Sequence, residues 1–273
     1  MKKKKAPVAR KRFGQNFLHD TGIIQHIVDQ ADLDRCEHIV EIGPGRGALT
    51  NELLKRGMKV TAVEIDRDLA RLLQERFGSN SQFKLISDDI LTIDWMPLFE
   101  GSGRSSLIAN LPYNISTPIF FKLTRYREAL EAITIMVQKE LAQRMMHTGY
   151  DQTLKEYGIL SVIAHAVFRV EKLMDVAPHA FFPKPKVQST VLRLIPLERK
   201  IDDEERYFDF VRRAFNHRRK LFLNHLKNQE PEIYQGLSDT ELEYLKQLRP
   251  ENLKPDQFWQ LYQTGRIDEV APG

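Results

Sequence analysis

Cysteine is almost missing from this chain of 273 residues; Cys36 is the only one. Its scarcity excludes a disulfide framework and a cysteine-rich zinc site, and it suits a reducing, cytoplasmic setting. Long apolar runs are missing as well, and none approaches the roughly 20 residues that a membrane span needs. The N-terminal MKKKKAPVARKR is basic, but no apolar stretch follows it, which argues against a secretory signal. It contains no serine, which argues against an organelle transit peptide. Residues 1–12 read either as a solvated tail or as a phosphate-binding arm. A strong excess of charge is lacking too: the net charge is +4, so where the basic residues fall matters more than their sum. With 42% of residues hydrophobic, the chain can bury one sizeable core and a smaller satellite.

The most informative absence is chemical. NLPYNIS, Asn110 to Ser116, follows the apolar run Ser106–Ala109, which reads as the end of a buried strand. Open α/β sheets place their chemistry at such ends. Here there is no catalytic acid, no nucleophile and no metal ligand, only an amide, a proline and an aromatic ring.

What is present is alternation. HIVEIG (38–43), KVTAVEI (59–65), FKLI (83–86), SLIAN (106–110) and AITIMV (132–137) read as strands. ALTNELLKRG (48–57) and RDLARLLQERFG (67–78) read as helices closed by glycine, and Ser116 with Pro118 can open another. Strand–helix alternation of this kind predicts an α/β fold with a parallel sheet and helices on both faces. Residues 158–196 combine a helix with β-rich text around the proline-dense APHAFFPKPKV. After Pro196 the text turns helical and charged, with a capping-box pattern at Ser238 and Glu241. The boundary falls near Lys200, giving a domain of 13–199 and a helical one of 200–273.

VEIGPGRGALT puts Gly43, Gly45 and Gly47 on the turn from the first of these strands into a helix, where backbone can approach a ligand closely. Glu64 ends the next strand, where a carboxylate can accept both hydroxyls of a ribose. Gly43-x-Gly45-x-x-Ala48 also fits a dinucleotide fingerprint. Three features favour S-adenosylmethionine instead. Glu41 precedes the loop, the spacing Gly-x-Gly-x-Gly contains Pro44, and Asp89 in SDDIL ends the third strand, placed to accept from an adenine amine. The plainer alternative for Asp88 and Asp89 is a helix cap or a solvated turn.

GQNFL (14–18), EIGPGRGALT (41–50), VEID (63–66), DDIL (88–91), NLPYNIST (110–117), FFPKPKV (181–187) and FNHRRK (215–220) occur in this order. With them the chain resembles the ribosomal RNA adenine N6-dimethyltransferases, the KsgA type in particular, from Arg12 to about Leu261. The resemblance implies a Rossmann-like class I methyltransferase sheet plus a small helical C-terminal domain. It implies S-adenosyl-L-methionine as cofactor, bound by Asn16, Leu18, Gly43, Gly45, Glu64, Asp89, Ile90 and Asn110, although Asn16 alone reads equally as a turn residue. It also explains the bare motif. An adenine N6 amine is a weak nucleophile that must be oriented, and the Asn110 side-chain oxygen with the backbone carbonyl of Leu111 or Pro112 can accept its two N–H bonds. Tyr113 offers one face for the base. Phe181 or Phe182 offers the other, and the resemblance favours Phe181.

Between Arg212 and Lys227 lie six basic residues, two histidines and no acid. Read as one helix, Arg212, Asn216, Arg219 and Lys220 share a face opposite Val211, Phe215 and Phe222. With Arg218, Lys184 and Lys186 they form an expected phosphate-contacting surface; a merely solvated face is the alternative. His217 and His225 lack further ligands, so no metal is expected. The implied partner is the small ribosomal subunit through its 16S RNA; no membrane partner is expected, and with no dimer interface evident in the sequence a monomer is the default. Three rivals remain: a resistance-type enzyme of the large subunit, an assembly factor acting by binding, and an NAD oxidoreductase.

Overall fold

A computed structural model describes residues 15–99, 103–149 and 156–267. The basic arm therefore lies outside the described residues. β1 (Phe17–Leu18) and α1 (Thr21–Gln30) lead into the alternating series β2 (His38–Ile42), α2 (Ala48–Lys55), β3 (Lys59–Val63), α3 (Arg67–Phe77), β4 (Phe83–Ile86), α4 (Met96–Phe99), β5 (Ser105–Asn110), α5 (Ser116–Tyr126), β6 (Leu130–Gln138) and α6 (Lys139–Met146). Then come α7 (Ile159–Val167), β7 (Phe168–Val176), β8 (Phe181–Phe182) and β9 (Ser189–Pro196). The chain finishes with α8 (Glu204–Asn216), α9 (Phe222–Gln229), α10 (Pro231–Gly236), α11 (Asp239–Leu245) and α12 (Pro255–Thr264). Local chemistry sets several of these starts. Asp20 accepts the Ile23 N–H at 3.0 Å ahead of α1, and Asp66 accepts the Asp68 N–H at 2.9 Å ahead of α3.

Seven strands form one sheet in the order β4-β3-β2-β5-β6-β9-β7. The first five run parallel, Ile42 pairing with Val63 on one side and Ala109 on the other, and β9 is antiparallel to β6. Every residue of β2 is buried, as expected of a strand with neighbours on both sides. Right-handed crossovers place α2 and α3 on one face of the sheet and α5 on the other. The expected helices on both faces follow from that. After β4 the chain returns to add β5 on the far side of β2, so adjacent β2 and β5 send their connections in opposite directions. The carboxyl ends of these two strands bound the crevice where such sheets bind ligands.

Among the described residues, contacts divide the chain into two compact units, one within 1–142 and 171–196, the other within 143–170 and 197–273. The second break lies close to the sequence boundary at Lys200. The segment 143–170, expected in the first domain, groups with the second. The reason is α7, which buries Leu160, Val162, Ile163, Ala164, Ala166 and Val167 and so needs cover on several sides. Helices α8 and α12 pack against it, and the Tyr157 hydroxyl donates to the Leu253 carbonyl at 2.6 Å. An aromatic cluster fills this unit, with Phe258 against Phe222 at 5.5 Å and stacked on Phe215 at 5.6 Å.

The capping box at α11 is present, and its acid does more than cap. Glu241 accepts from the Ser238 N–H and hydroxyl at 2.7 Å each, the Ile267 N–H at 2.9 Å and Arg266 at 3.0 Å. Burial pushes this carboxyl up, but those donors outweigh it and hold the pKa at about 2. Glu241→Ala should cost about 2–4 kcal/mol at neutral pH, measured by chemical denaturation, because several donors lose a charged acceptor at once. Glu241 has a folded pKa below the unfolded 4.5, so the advantage of the parent protein should shrink as the pH falls from 4.5 towards 2.

Candidate active site

Four strand ends deliver the predicted residues to one cleft. Its lining includes Asn16, Leu18, Gly43, Gly45, Glu64, Asp89, Ile90, Asn110, Leu111, Pro112 and Tyr113. After β2 the loop turns through three glycines at positive φ, 65° at Gly43, 59° at Gly45 and 75° at Gly47. They serve different ends. A Cβ on Gly47 would sit 2.6 Å from the Phe77 ring, so packing alone excludes a side chain there. A Cβ on Gly43 would meet no atom within 4 Å, so the protein leaves that space open to a ligand.

Two buried carboxyls stand beside this loop. Glu41, in β2, accepts the Thr50 hydroxyl at 2.6 Å, and burial raises its pKa to about 7. Glu64, just past β3, accepts the Gly45 N–H at 3.1 Å and the Asp66 N–H at 2.9 Å, one on each oxygen. Burial raises its pKa to about 7 as well, against the pull of those amides. Each oxygen keeps a further lone pair for a hydroxyl. Past β4, Asp89 accepts the Leu91 N–H at 2.9 Å, which closes a tight turn at the cleft wall.

Asn110 ends β5. Its side-chain nitrogen donates to the Asn16 carbonyl at 3.1 Å. Only the amide nitrogen can donate to a carbonyl, so this bond leaves the Asn110 oxygen as the acceptor facing the cleft. Between the two backbone candidates, the structure discriminates. The Pro112 carbonyl already accepts the Ile115 N–H at 3.1 Å and the Ser116 hydroxyl at 3.0 Å, which fills both lone pairs. The Leu111 carbonyl meets no donor among the described residues. Tyr113 is half-buried, its hydroxyl bonded to that of Ser189 at 2.9 Å, which locks the ring in place.

Phe181 does not present an open face. β8 pairs antiparallel with β1, matching Leu18 with Phe181 and Phe17 with Phe182. Side chains alternate along a strand, so Phe181 turns into the core at 3% exposure and lies outside the cleft lining, while Phe182 stands 62% exposed. The basic residues also differ from expectation. α8 ends at Asn216 and residues 217–220 form a turn, so Arg219 and Lys220 do not continue a helical face with Arg212. Arg212 pairs with Asp209 at 2.7 Å and Arg218 with Glu251, whereas Arg219 and Lys220 are exposed with no ion pair among the described residues. Lys184 and Lys186 are exposed on the loop after β8. His225 is buried, and among the described residues no cluster suits a metal ion.

Thr50 and Ser189 take part in the site without a signal in the sequence. Thr50 reads as one more residue of an amphipathic helix, and Ser189 lies 76 positions from the tyrosine it holds.

A glycine loop beside a strand-order reversal, a carboxylate at the end of the next strand and an acid after the third define a class I, S-adenosylmethionine-dependent methyltransferase. The residues present fit that cofactor: an open space at Gly43, paired lone pairs at Glu64 and an acceptor at Asp89. A sequence model of the family "Ribosomal RNA adenine dimethylase" matches residues 7–264, and the chain belongs to that family. The "Ribosomal RNA small subunit methyltransferase A" of Hahella chejuensis is 42% identical, covering 92% of this chain and 90% of the relative. The protein of that name from Pseudomonas aeruginosa is also 42% identical, over 80% of this chain and 82% of its own. Among solved structures, a dimethyladenosine transferase from Plasmodium falciparum superposes with a TM-score of 0.75 at 25% identity, covering 90% of this chain and 95% of the other. The 23S rRNA methyltransferase ErmE superposes at 0.69 and 26%, covering 91% and 98%.

Burial holds the Glu64 carboxyl near 7, and a ribose accepted there would bind its ionised form. Affinity for S-adenosylhomocysteine should therefore strengthen as the pH rises from about 6 to about 8, with net proton release near neutrality. Calorimetry in buffers of different ionisation enthalpy checks this, and Glu64→Gln should bind about tenfold or more weakly with the pH dependence flattened.

Proposed function

We propose that this protein transfers methyl groups from S-adenosyl-L-methionine to the N6 amines of two adjacent adenosines in the 3′-terminal hairpin loop of 16S ribosomal RNA, during ribosome biogenesis. The observation that carries this reading is the pair of acceptors at the end of β5. The bond from Asn110 to Asn16 leaves the side-chain oxygen as an acceptor, and the Leu111 carbonyl meets no donor among the described residues.

When bound, the cofactor supplies a methyl group on a sulfonium that already carries a good leaving group. The protein is left with orientation. Asn110 and Leu111 accept the two N–H bonds of the amine, draw its nitrogen towards tetrahedral geometry and aim the lone pair. Orientation of this kind can contribute several of the roughly 7–11 kcal/mol available to positioned reactants. A neutral amide serves better than a carboxylate, which would stabilise the sulfonium before reaction. Tyr113, fixed through Ser189, supplies a stacking face worth about 1–3 kcal/mol, which offsets the cost of drawing a base from its neighbours.

Arg212, Arg218, Arg219 and Lys220 in one unit and Lys184 and Lys186 in the other contact RNA phosphates in this reading. Arg219 and Lys220 are the better placed, since they have no ion pair to break among the described residues. Small-subunit RNA as substrate is supported by the names of the curated relatives at about 40% identity. The likeness to ErmE supports large-subunit RNA as the second reading. A cytoplasmic, monomeric enzyme completes the proposal; no described helix is long and apolar enough to cross a membrane.

Asn110→Ala should reduce methyl transfer by about a hundredfold to a thousandfold while S-adenosylhomocysteine and subunit binding stay within about tenfold of the parent. Transfer of labelled methyl to purified small and large subunits, followed by mass spectrometry of the adenosines, checks both points. Product on the large subunit alone would overturn the substrate assignment, and retained turnover in Asn110→Ala would overturn the role of that amide.

A further inference from the structure

Helix α5 starts directly after the acceptor motif, and it also holds the loop that carries Asp89. Lys122, on α5, donates from its ammonium to the Leu91 carbonyl at 2.9 Å and to the Ile93 carbonyl. One turn further, the Tyr126 hydroxyl donates to Asp94 at 2.9 Å, and its ring stacks on Trp95 at 5.4 Å. Trp95 in turn donates from its ring nitrogen to the Ile90 carbonyl at 2.8 Å, and the Lys122 ammonium lies 5.5 Å from the Trp95 ring centre. Three carbonyls of the loop, those of Ile90, Leu91 and Ile93, are thus tied to α5 or to the tryptophan that α5 covers. At its other end α5 anchors the acceptor motif, because Ser116 donates to the Pro112 carbonyl.

We infer that Lys122 is a positioning residue for cofactor recognition, holding the Asp89–Ile90 turn in register with the acceptor motif at Asn110. Lys122 sits within the apolar stretch IFFKLT, and the two loop carbonyls are its hydrogen-bond partners among the described residues. Its two carbonyl partners both belong to the loop, and the carboxylates that face it, Asp89 and Asp94, are on or beside that loop. Three donors on one nitrogen suit two backbone acceptors at a turn that has no sheet partner. The same bonds fix where the Asp89 acceptor stands relative to an incoming adenine. The inference rests on the proposed cofactor site, and it adds a residue outside the cleft lining to it.

Calorimetric titration with S-adenosylhomocysteine and with its deaminated analogue S-inosylhomocysteine tests it. The parent protein should bind the adenine form at least tenfold more tightly than the inosine form. Lys122→Met keeps the aliphatic stem and removes the donors; it should bind the adenine form about tenfold more weakly and lose most of the discrimination. Its kcat at saturating cofactor should stay within about twofold of the parent, so the loss falls on KM. Lys122→Arg, which can still donate to both carbonyls, should restore most of the affinity and the discrimination. Thermal melts of the free proteins accompany the titrations, and should Lys122→Met melt below the assay temperature, Lys122→Gln with one remaining donor is the substitute, with an intermediate loss expected. Unchanged affinity and discrimination in a folded Lys122→Met overturn the inference and leave the proposed function standing. A parent protein that binds neither compound overturns both.

Discussion

Two neighbouring parallel strands whose onward connections leave in opposite directions cannot both be covered at their carboxyl ends, and the rest of this protein is arranged around that vacancy. β2 and β5 make it. The glycine turn after one strand and the Asn110 motif after the other face each other across the gap because strand register puts Ile42 beside Ala109. Everything that binds or orients is then placed by being next along the sheet: Glu64 past β3, the Asp89 turn past β4. A sheet of this order needs no further instruction to bring residues 43, 64, 89 and 110 together.

The sequence carried most of this because its signals are local. Strand–helix alternation, glycines at a turn and an acid closing the next strand are all written within a few residues of one another. What escaped is non-local. The short pairing of β1 with β8 joins residues more than 160 positions apart, and it alone decides that Phe181 turns inward and Phe182 outward. From text, the two phenylalanines are equivalent. The helical reading across Arg212–Lys220 failed for a different reason. No glycine or proline interrupts the pattern there, but the chain turns at His217, and Arg219 and Lys220 leave the helix face they were expected to share. Segment 143–170 was assigned by chain order, whereas α7, apolar around most of its surface, groups with the helices that cover it.

Hydrogen-bond saturation resolves what spacing leaves open. Leu111 and Pro112 are adjacent, and both offer a carbonyl. Ser116 and the Ile115 amide fill the second and leave the first. The same reasoning orients Asn110, where one bond to a main-chain oxygen decides which end of a symmetric-looking amide is left as an acceptor. In both cases the decisive partner is an ordinary backbone group, which no pattern of side chains announces.

Two acceptors, if they face an amine with two hydrogens as proposed, also keep count. An unmodified adenosine can occupy both, a singly methylated one can occupy only one, and the finished base has nothing left to give. In that arrangement the hold on the exocyclic nitrogen would loosen with each round, and the completed nucleotide would be released by the very change that was made to it. A cleft built this way requires no separate device to stop at two.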